Sequence, residues 1–302
     1  MGAPESEPRP VSRLTRIATL IVVIAPFAGL VAAIALLWGI GFSWVHLWLL
    51  LGMYLFTAIG ITVGYHRYFT HKSFETNVAV RAVLGVLGSM AAEGPILKWA
   101  AMHRCHHQHS DTEADPHSPH CHGEGVIAML RGFWRAHVGW FFEPEPVNLG
   151  RYVPDLHADT VTRRVSNTFV FWVVLGLVVS AVLGGLLTQS WLGVLLGFIW
   201  GGLARIFLVH HITWSVNSVC HIWGTRPFRS HDHSRNNLIF GILALGEGWH
   251  NNHHAFPTSA RHGLRWWEID TSYLIIRGLE AVGLARRVRV PSHETIVAKL
   301  NR

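Results

Sequence analysis

The chain has 302 residues, of which 50% are hydrophobic and only 14% charged. An ordinary soluble domain carries about 25% charged residues, so a simple water-soluble fold is excluded. The net charge of +7 comes without the basic and aromatic patterning of a nucleic-acid binder, and the three cysteines (Cys105, Cys121, Cys220) form no CxxC pair. Neither a disulfide framework nor a thiolate zinc site is indicated.

In chain order, residues 1–15 are rich in Pro and Glu and read as a disordered tail. "MGAPES" fits a myristoylation pattern loosely, but a multi-span protein needs no lipid anchor. Residues 17–38 contain no charge, and neither do residues 44–65; each is long enough to cross a bilayer. The first of these is too long, and lacks the small-residue cleavage site, for a signal peptide. Residues 79–97 are apolar but include Arg81 and Glu93 and are broken by "EGP". They read as a helix in the membrane interface. Residues 165–204 are uncharged and long enough to cross twice, as spans at 165–187 and 191–211 with the turn at "TQSW".

The turns near 39–44 and 189 carry no Lys or Arg. All the basic residues therefore fall on one side, which the positive-inside rule makes the cytoplasm, with both termini there. The expected architecture is an all-α integral membrane protein. Its four transmembrane helices carry a helical cytoplasmic cap (66–164 and 212–302), in one domain over 16–302.

The chemistry lies in the histidines, of which there are 22. "HRCHHQHSD" places His103, His106 and His107 at i, i+3 and i+4, and "EGWHNNHHAFP" repeats this with His250, His253 and His254. Such residues share one helix face. "HRYFTH" adds His66 and His71 at the end of the second span. Eight imidazoles suit iron, copper or zinc and exceed one tetrahedral ion, so two metals are indicated. Glu247 and His250 have the Glu-x-x-His spacing of soluble di-iron bundles, but there is no second such motif. The site is thus almost all histidine, with no carboxylate to neutralise the metals. The other histidines read as ordinary: His109, His117, His120, His122, His137 and His157 in loops, His210 and His211 on different helix sides, and His231, His233 and His262 solvated.

"HRYFTH", "HRCHHQHSDTEADPHSP", "HVGW", "TWSVNSVCHIWG" and "GEGWHNNHHAFP" resemble, in order and context, the membrane acyl-CoA desaturases of the stearoyl-CoA (delta-9) type, over roughly residues 54–284. The compact length resembles bacterial members. The resemblance implies two iron ions (Fe2+/Fe3+) and a ninth ligand in "NSxxH", here His221, with Asn217 holding a metal-bound water. It implies O2-dependent removal of two hydrogens from a long acyl chain, giving a cis double bond. It also implies an acyl tunnel lined by Tyr54, Ala58, Trp99, Thr213 and Trp214. At 1.5 Å per α-helical residue, Ala58 would lie about 12 Å and Tyr54 about 18 Å below His66, as a ruler for the chain.

Departures from the family bear on the carrier. Animal members have an Arg-Asp pair where Ala101 and Met102 stand, and basic residues where Pro144 and Glu145 stand. An acyl-CoA remains the first expectation, with acyl-lipid or acyl carrier protein as alternatives. Lys98, Arg104, Arg131, Arg135 and Arg151 are the substitutes for the missing phosphate-binding cations. With no haem, iron–sulfur or dinucleotide motif, electrons must come from a separate ferredoxin, rubredoxin or cytochrome with its reductase. Two rivals remain: a related di-iron hydroxylase or monooxygenase, and a histidine-rich metal transporter. A transporter needs ligands within the spans, where there are almost none.

Overall fold

A computed structural model describes residues 11–37, 43–144 and 149–301. The first ten residues of the expected tail, the turn at 38–42 and Glu145 lie outside these. Helix α1 (Arg13–Leu37) contains Pro26, which is tolerated in a span because neighbouring groups re-satisfy the freed carbonyl. Ser43 caps α2 (Trp44–Ile59), which continues without a break as a π-helix over Gly60–Thr70. A tight turn then leads to strand β1 (Glu75–Thr76), α3 (Val78–Met90) and α4 (Ile96–His109). Next come α5 (Val126–His137), α6 (Pro154–Ala158) and α7 (Thr160–Asn167), and then α8 (Phe169–Thr188). Gln189, in the left-handed region (φ 52), and Ser190 make the turn into α9 (Trp191–Gly197). A second π-helical stretch, Phe198–Ala204, joins α9 to α10 (Arg205–Ile222). The chain ends with α11 (Leu238–Leu243), α12 (His250–Ala255), α13 (Thr271–Ala281), β2 (Ala285–Arg286), which pairs antiparallel with β1, and α14 (His293–Lys299).

Among the described residues four helices are long and apolar enough to cross a membrane: α1, α2 with its π-extension, α8, and α9 through α10. The first and third leave most of their surface uncovered, with Ile21, Phe27, Val170 and Phe171 more than half exposed. The second and fourth are mostly buried in the protein and carry the site. The "EGP" break separates α3 from α4 as the sequence indicates, and α3 packs on the second span. That packing is close. A Cβ on Gly60 would lie 2.1 Å from the Gly88 backbone nitrogen, so the two helices cross only because both positions are glycine.

Two features depart from simple helical expectation. First, π-helical turns start at Gly60, so the rise from Ala58 to His66 is smaller than the α-helical 12 Å. More residues fit into each turn, which brings both Ala58 and Tyr54 closer to the histidines. Second, the fourth crossing does not stop near 211. It runs unbroken to Ile222 and so carries Thr213, Trp214, Asn217 and His221 into the cap.

Candidate metal centre

Nine buried or half-buried histidines converge where these two helices leave the bundle. His66, His71, His103, His107 and His253 form one group, and His106, His221, His250 and His254 form another. Within each group the ligand nitrogens lie within 4.8 Å of one another. These are the nine histidines singled out above. The elements explain the split. On α4, His103 and His107 are one turn apart and face the first group, while His106 is rotated towards the second. On α12, His253 points to the first group and His250 and His254 to the second.

Ring nitrogens meet directly. His66 Nε2 is 3.0 Å from His253 Nε2, His253 Nε2 is 2.9 Å from His107 Nε2, and His107 Nε2 is 3.1 Å from His103 Nε2. In the second group, His221 Nε2 is 3.0 Å from His250 Nε2. The inward Nε2 atoms of His71, His106 and His254 have no hydrogen-bond partner.

Carboxylates hold the outer faces of several rings. Asp115 accepts from His106 Nδ1 at 3.0 Å, Asp111 from His221 Nδ1 at 2.8 Å, and Asp232 from His254 Nδ1 at 2.5 Å. An ionised carboxylate only accepts, so the ring proton sits on Nδ1 and the Nε2 lone pair faces inward. Lone pairs that converge in this way repel one another unless a cation lies between them. The donor set, nine imidazoles, suits borderline metals such as iron.

Electrostatics agree. Burial holds His71, His103, His107, His250, His253 and His254 well below the usual imidazole range, and neighbouring rings push further the same way. They are neutral, the form that binds metal. His106 is raised, because Asp115 outweighs the effect of burial. Although burial opposes it, the His221 contact brings Asp111 down to about 2. Hydrogen bonds from Ser234 and Ser230, with the His221 ring nearby, do the same for Asp232, also to about 2.

Glu247 is no bundle-type ligand. Its Oε2 lies 2.6 Å from His66 Nδ1, off the line of a hydrogen bond, and its Oε1 lies 3.4 Å from the buried guanidinium of Arg67. Arg67 also donates to Asp270 at 2.9 Å. Gly246 makes this possible: at φ 115, its missing Cβ would fall 2.4 Å from Asp270 Oδ1. His262, read from sequence as solvated, is 1% exposed. Its Nδ1 is 3.0 Å from Arg67 and 3.3 Å from Glu247. His117, read as a loop residue, is buried with its ring 4.4 Å from that of His106. His231 and His233 are exposed as expected.

An apolar cavity runs from this cluster into the bundle. Tyr54, Ala58, Trp99, Thr213, Trp214 and Asn217 all line it, together with His66, His103 and His250. Asn217 lies one helical turn before His221 on α10. Trp99 stacks on His103, with ring centroids 5.1 Å apart, and donates from Nε1 to Glu93 Oε2 at 3.0 Å. Sequence reasoning missed Glu93. Burial pushes its carboxyl up to about 7, although hydrogen bonds from Trp99 and Thr213 pull the other way. Tyr54 donates from its hydroxyl to the Leu243 carbonyl at 2.6 Å.

Arg104 does not serve as a surface cation. Its guanidinium holds both oxygens of Asp155, at 2.7 and 3.1 Å, and the carbonyls of Phe69, Thr70 and Tyr152. Arg135 pairs with Glu143 at 3.0 Å. Arg131 and Arg151 are exposed.

Comparison with known proteins matches this geometry to one family. Residues 42–287 match the model of the fatty acid desaturases. Relatives include the hex-5-enoyl-[acyl-carrier protein] acetylenase of Moorena producens (strain JHB), 45% identical over 278 residues, or 91% of this chain and 87% of that one. The sn-1 stearoyl-lipid 9-desaturase of Anabaena variabilis is 38% identical over 82% of this chain and 86% of its own. The acyl-CoA C20 Delta5-desaturase of Anemone leveillei is 39% identical over 83% of this chain and 76% of its own. With its four apolar helices, its histidine clusters and a match over most of its length, the chain belongs to the fatty acid desaturase family.

Proposed function

We propose that the protein converts a long-chain fatty acyl substrate, C16–C18, to its cis-9 monoene, consuming O2, two electrons and two protons and releasing two waters. The observation that carries this reading is the apolar cavity ending at both histidine groups. Two iron ions, held by His66, His71, His103, His107 and His253 and by His106, His221, His250 and His254, supply the oxygen chemistry when bound. Asn217 holds a water beside the second group.

The protein's own residues do the rest. Trp99 and Trp214 form apolar walls that keep the reacting methylenes near the histidines and exclude water. Thr213 also lines the cavity. Tyr54 and Ala58, on one face of α2, set how far the methyl end reaches. The electrons come from an external ferredoxin, rubredoxin or cytochrome with its reductase. We place the protein in a bacterial cell membrane, with termini and active site cytoplasmic, because its basic residues cluster on that side of the spans.

Acyl-CoA is the first carrier to test. One observation favours the second reading, an acyl carrier protein or a lipid: Arg104 is engaged internally and Arg135 is paired, which takes two of the five candidate cations from CoA phosphates. The relatives named above act on all three carrier types. The experiment is expression in a host without delta-9 desaturation, together with a reductase chain. Total fatty acids are then analysed by gas chromatography with double-bond localisation. New cis-9 C16 or C18 monoenes are expected. Hydroxylated chains would favour the oxygenase reading, and no product from protein that holds two irons and accepts electrons would overturn desaturation.

A further inference from the structure

The two histidine groups differ in their surroundings in a way that ligand counting hides. The four-histidine group has three carboxylates on its outer nitrogens, namely Asp115 on His106, Asp111 on His221 and Asp232 on His254. All three are aligned hydrogen bonds. Their remaining hydrogen bonds come from hydroxyls and backbone amides, and the rings of His117 and His120 stand 3.8 Å from Asp115 and Asp111. Asp111 accepts from Ser118 and the His233 amide, Asp115 from the Asp111 and His117 amides, and Asp232 from Ser230 and Ser234. The nearby guanidiniums, Arg135 and Arg226, bind the backbone carbonyls of Asp115 and Asp232 and not the carboxylates.

The five-histidine group has one carboxylate, Glu247 on His66, and that contact is off the hydrogen-bond line. Glu247 also shares the buried Arg67, which Asp270 takes from its other side. A further imidazole, His262, packs against this set, with its ring 4.5 Å from that of His253. Among the described residues, three carboxylates with no guanidinium or ammonium on their oxygens therefore face one group, and one carboxylate that shares Arg67 faces the other. A carboxylate on the far nitrogen makes an imidazole a stronger donor, and its charge stabilises a more positive metal.

We propose that Asp111, Asp115 and Asp232 make the four-histidine position the electron-rich half of the site, the half that favours the more highly charged cation. The ligand number does not decide this, because an extra neutral imidazole strengthens the binding of both charge states. The relevant quantity is the ratio of Fe3+ to Fe2+ affinity, and the three carboxylates raise it at one position only. They are positioning residues, acting on the metal through His106, His221 and His254. The proposal rests on the reading of the nine histidines as two iron sites.

The test is an anaerobic redox titration of the iron-loaded, detergent-solubilised full chain, followed by Mössbauer spectroscopy. Ferricyanide serves as the one-electron acceptor: each bound Fe2+ becomes Fe3+, and the electron converts ferricyanide to ferrocyanide. His71→Ala and His250→Ala, each expected to retain one iron, assign the two steps. The iron kept by His71→Ala should oxidise at the lower potential.

Asp115→Asn and Asp232→Asn should lower the Fe3+/Fe2+ affinity ratio of the four-histidine position by about 10-fold or more. The five-histidine signal of the same molecule should stay put and serves as the folding control. Glu247→Gln should move only the other step. Two irons that oxidise together, the reverse order, or Asp variants that shift both signals equally would overturn the proposal and leave the two-iron reading standing. Fewer than two irons in the unaltered chain would overturn both.

Discussion

On the cap side of His66 the interior is crowded with polar groups, each fixed by another. On the membrane side it is an apolar cavity whose polar lining includes the half-buried Glu93 and Lys98, Asn217 and a few hydroxyls. The polar side is over-determined. His66, for example, is placed by His253, by Glu247 and by the π-helix that carries it. The apolar side is held mainly by shape, with few polar anchors such as those of Tyr54 and Trp99, so a change of one or two methylenes is felt there as a change in what fits. The comparison suggests that changes on the polar side abolish chemistry, whereas changes on the apolar side redirect it.

The largest effect tests the polar side. His253→Ala or His107→Ala should eliminate product while membrane insertion, checked by fractionation, stays intact. Each removes a nitrogen that contacts other nitrogens of the five-histidine group. Full activity in either variant would remove that residue from the site. The next effect tests the apolar side. Ala58→Phe fills the cavity beside Tyr54, at an overpacking cost of about 1–3 kcal/mol. It should leave turnover on shorter chains and cut that on the longest by about tenfold or more for each methylene that no longer fits. The readout is product chain length by gas chromatography. An unchanged distribution would place the end of the acyl chain elsewhere.

How much of this was legible in the sequence follows the same division. Six of the histidines could be found by spacing because helical periodicity puts i, i+3 and i+4 on one face, and His66 and His71 by their place at the end of the second span. His221 could not. It is a single histidine on a helix whose uncharged stretch ends earlier, at Ala204, and only the unbroken run of α10 to Ile222 brings it in; the family resemblance pointed to it instead. The partners of the rings were also hidden. Asp232 reaches His254 from 22 residues away and Asp111 reaches His221 from 110, which no local pattern encodes. His262 read as solvated because its neighbours in sequence are polar, and its burial comes from Arg67, 195 residues away. The spans were visible as uncharged runs. Their π-helical turns were not, since a π-turn reflects how neighbouring helices press on the chain more than local composition.

Glu93 gives a smaller effect with a definite sign. Burial pushes its folded pKa up to about 7, above the ordinary carboxyl value of 4.5. A carboxyl raised on folding contributes stability that is fully present below the unfolded pKa and is lost as pH rises through the folded one. Between pH 4.5 and 7 the native protein should therefore lose up to about 3 kcal/mol from this group. Glu93→Gln keeps an acceptor for Trp99 and never ionises. Thermal unfolding in detergent should find variant and parent alike at pH 4 and the variant more stable above pH 7. Curves that stay parallel across the whole range would mean that the carboxyl is not held neutral.

The smallest effect separates ring from hydroxyl at Tyr54. The hydroxyl ties the second span to α11 through the Leu243 carbonyl at 2.6 Å, while the ring faces the cavity. Tyr54→Phe removes the tie and keeps the ring. It should cost about 1 kcal/mol of stability, the net worth of one such hydrogen bond, and leave product chain length unchanged. If chain length shifts instead, the hydroxyl is holding the ring across the end of the cavity. The apolar side would then depend on a polar anchor just as the histidines depend on their carboxylates, and the contrast between the two sides would be one of number and not of kind.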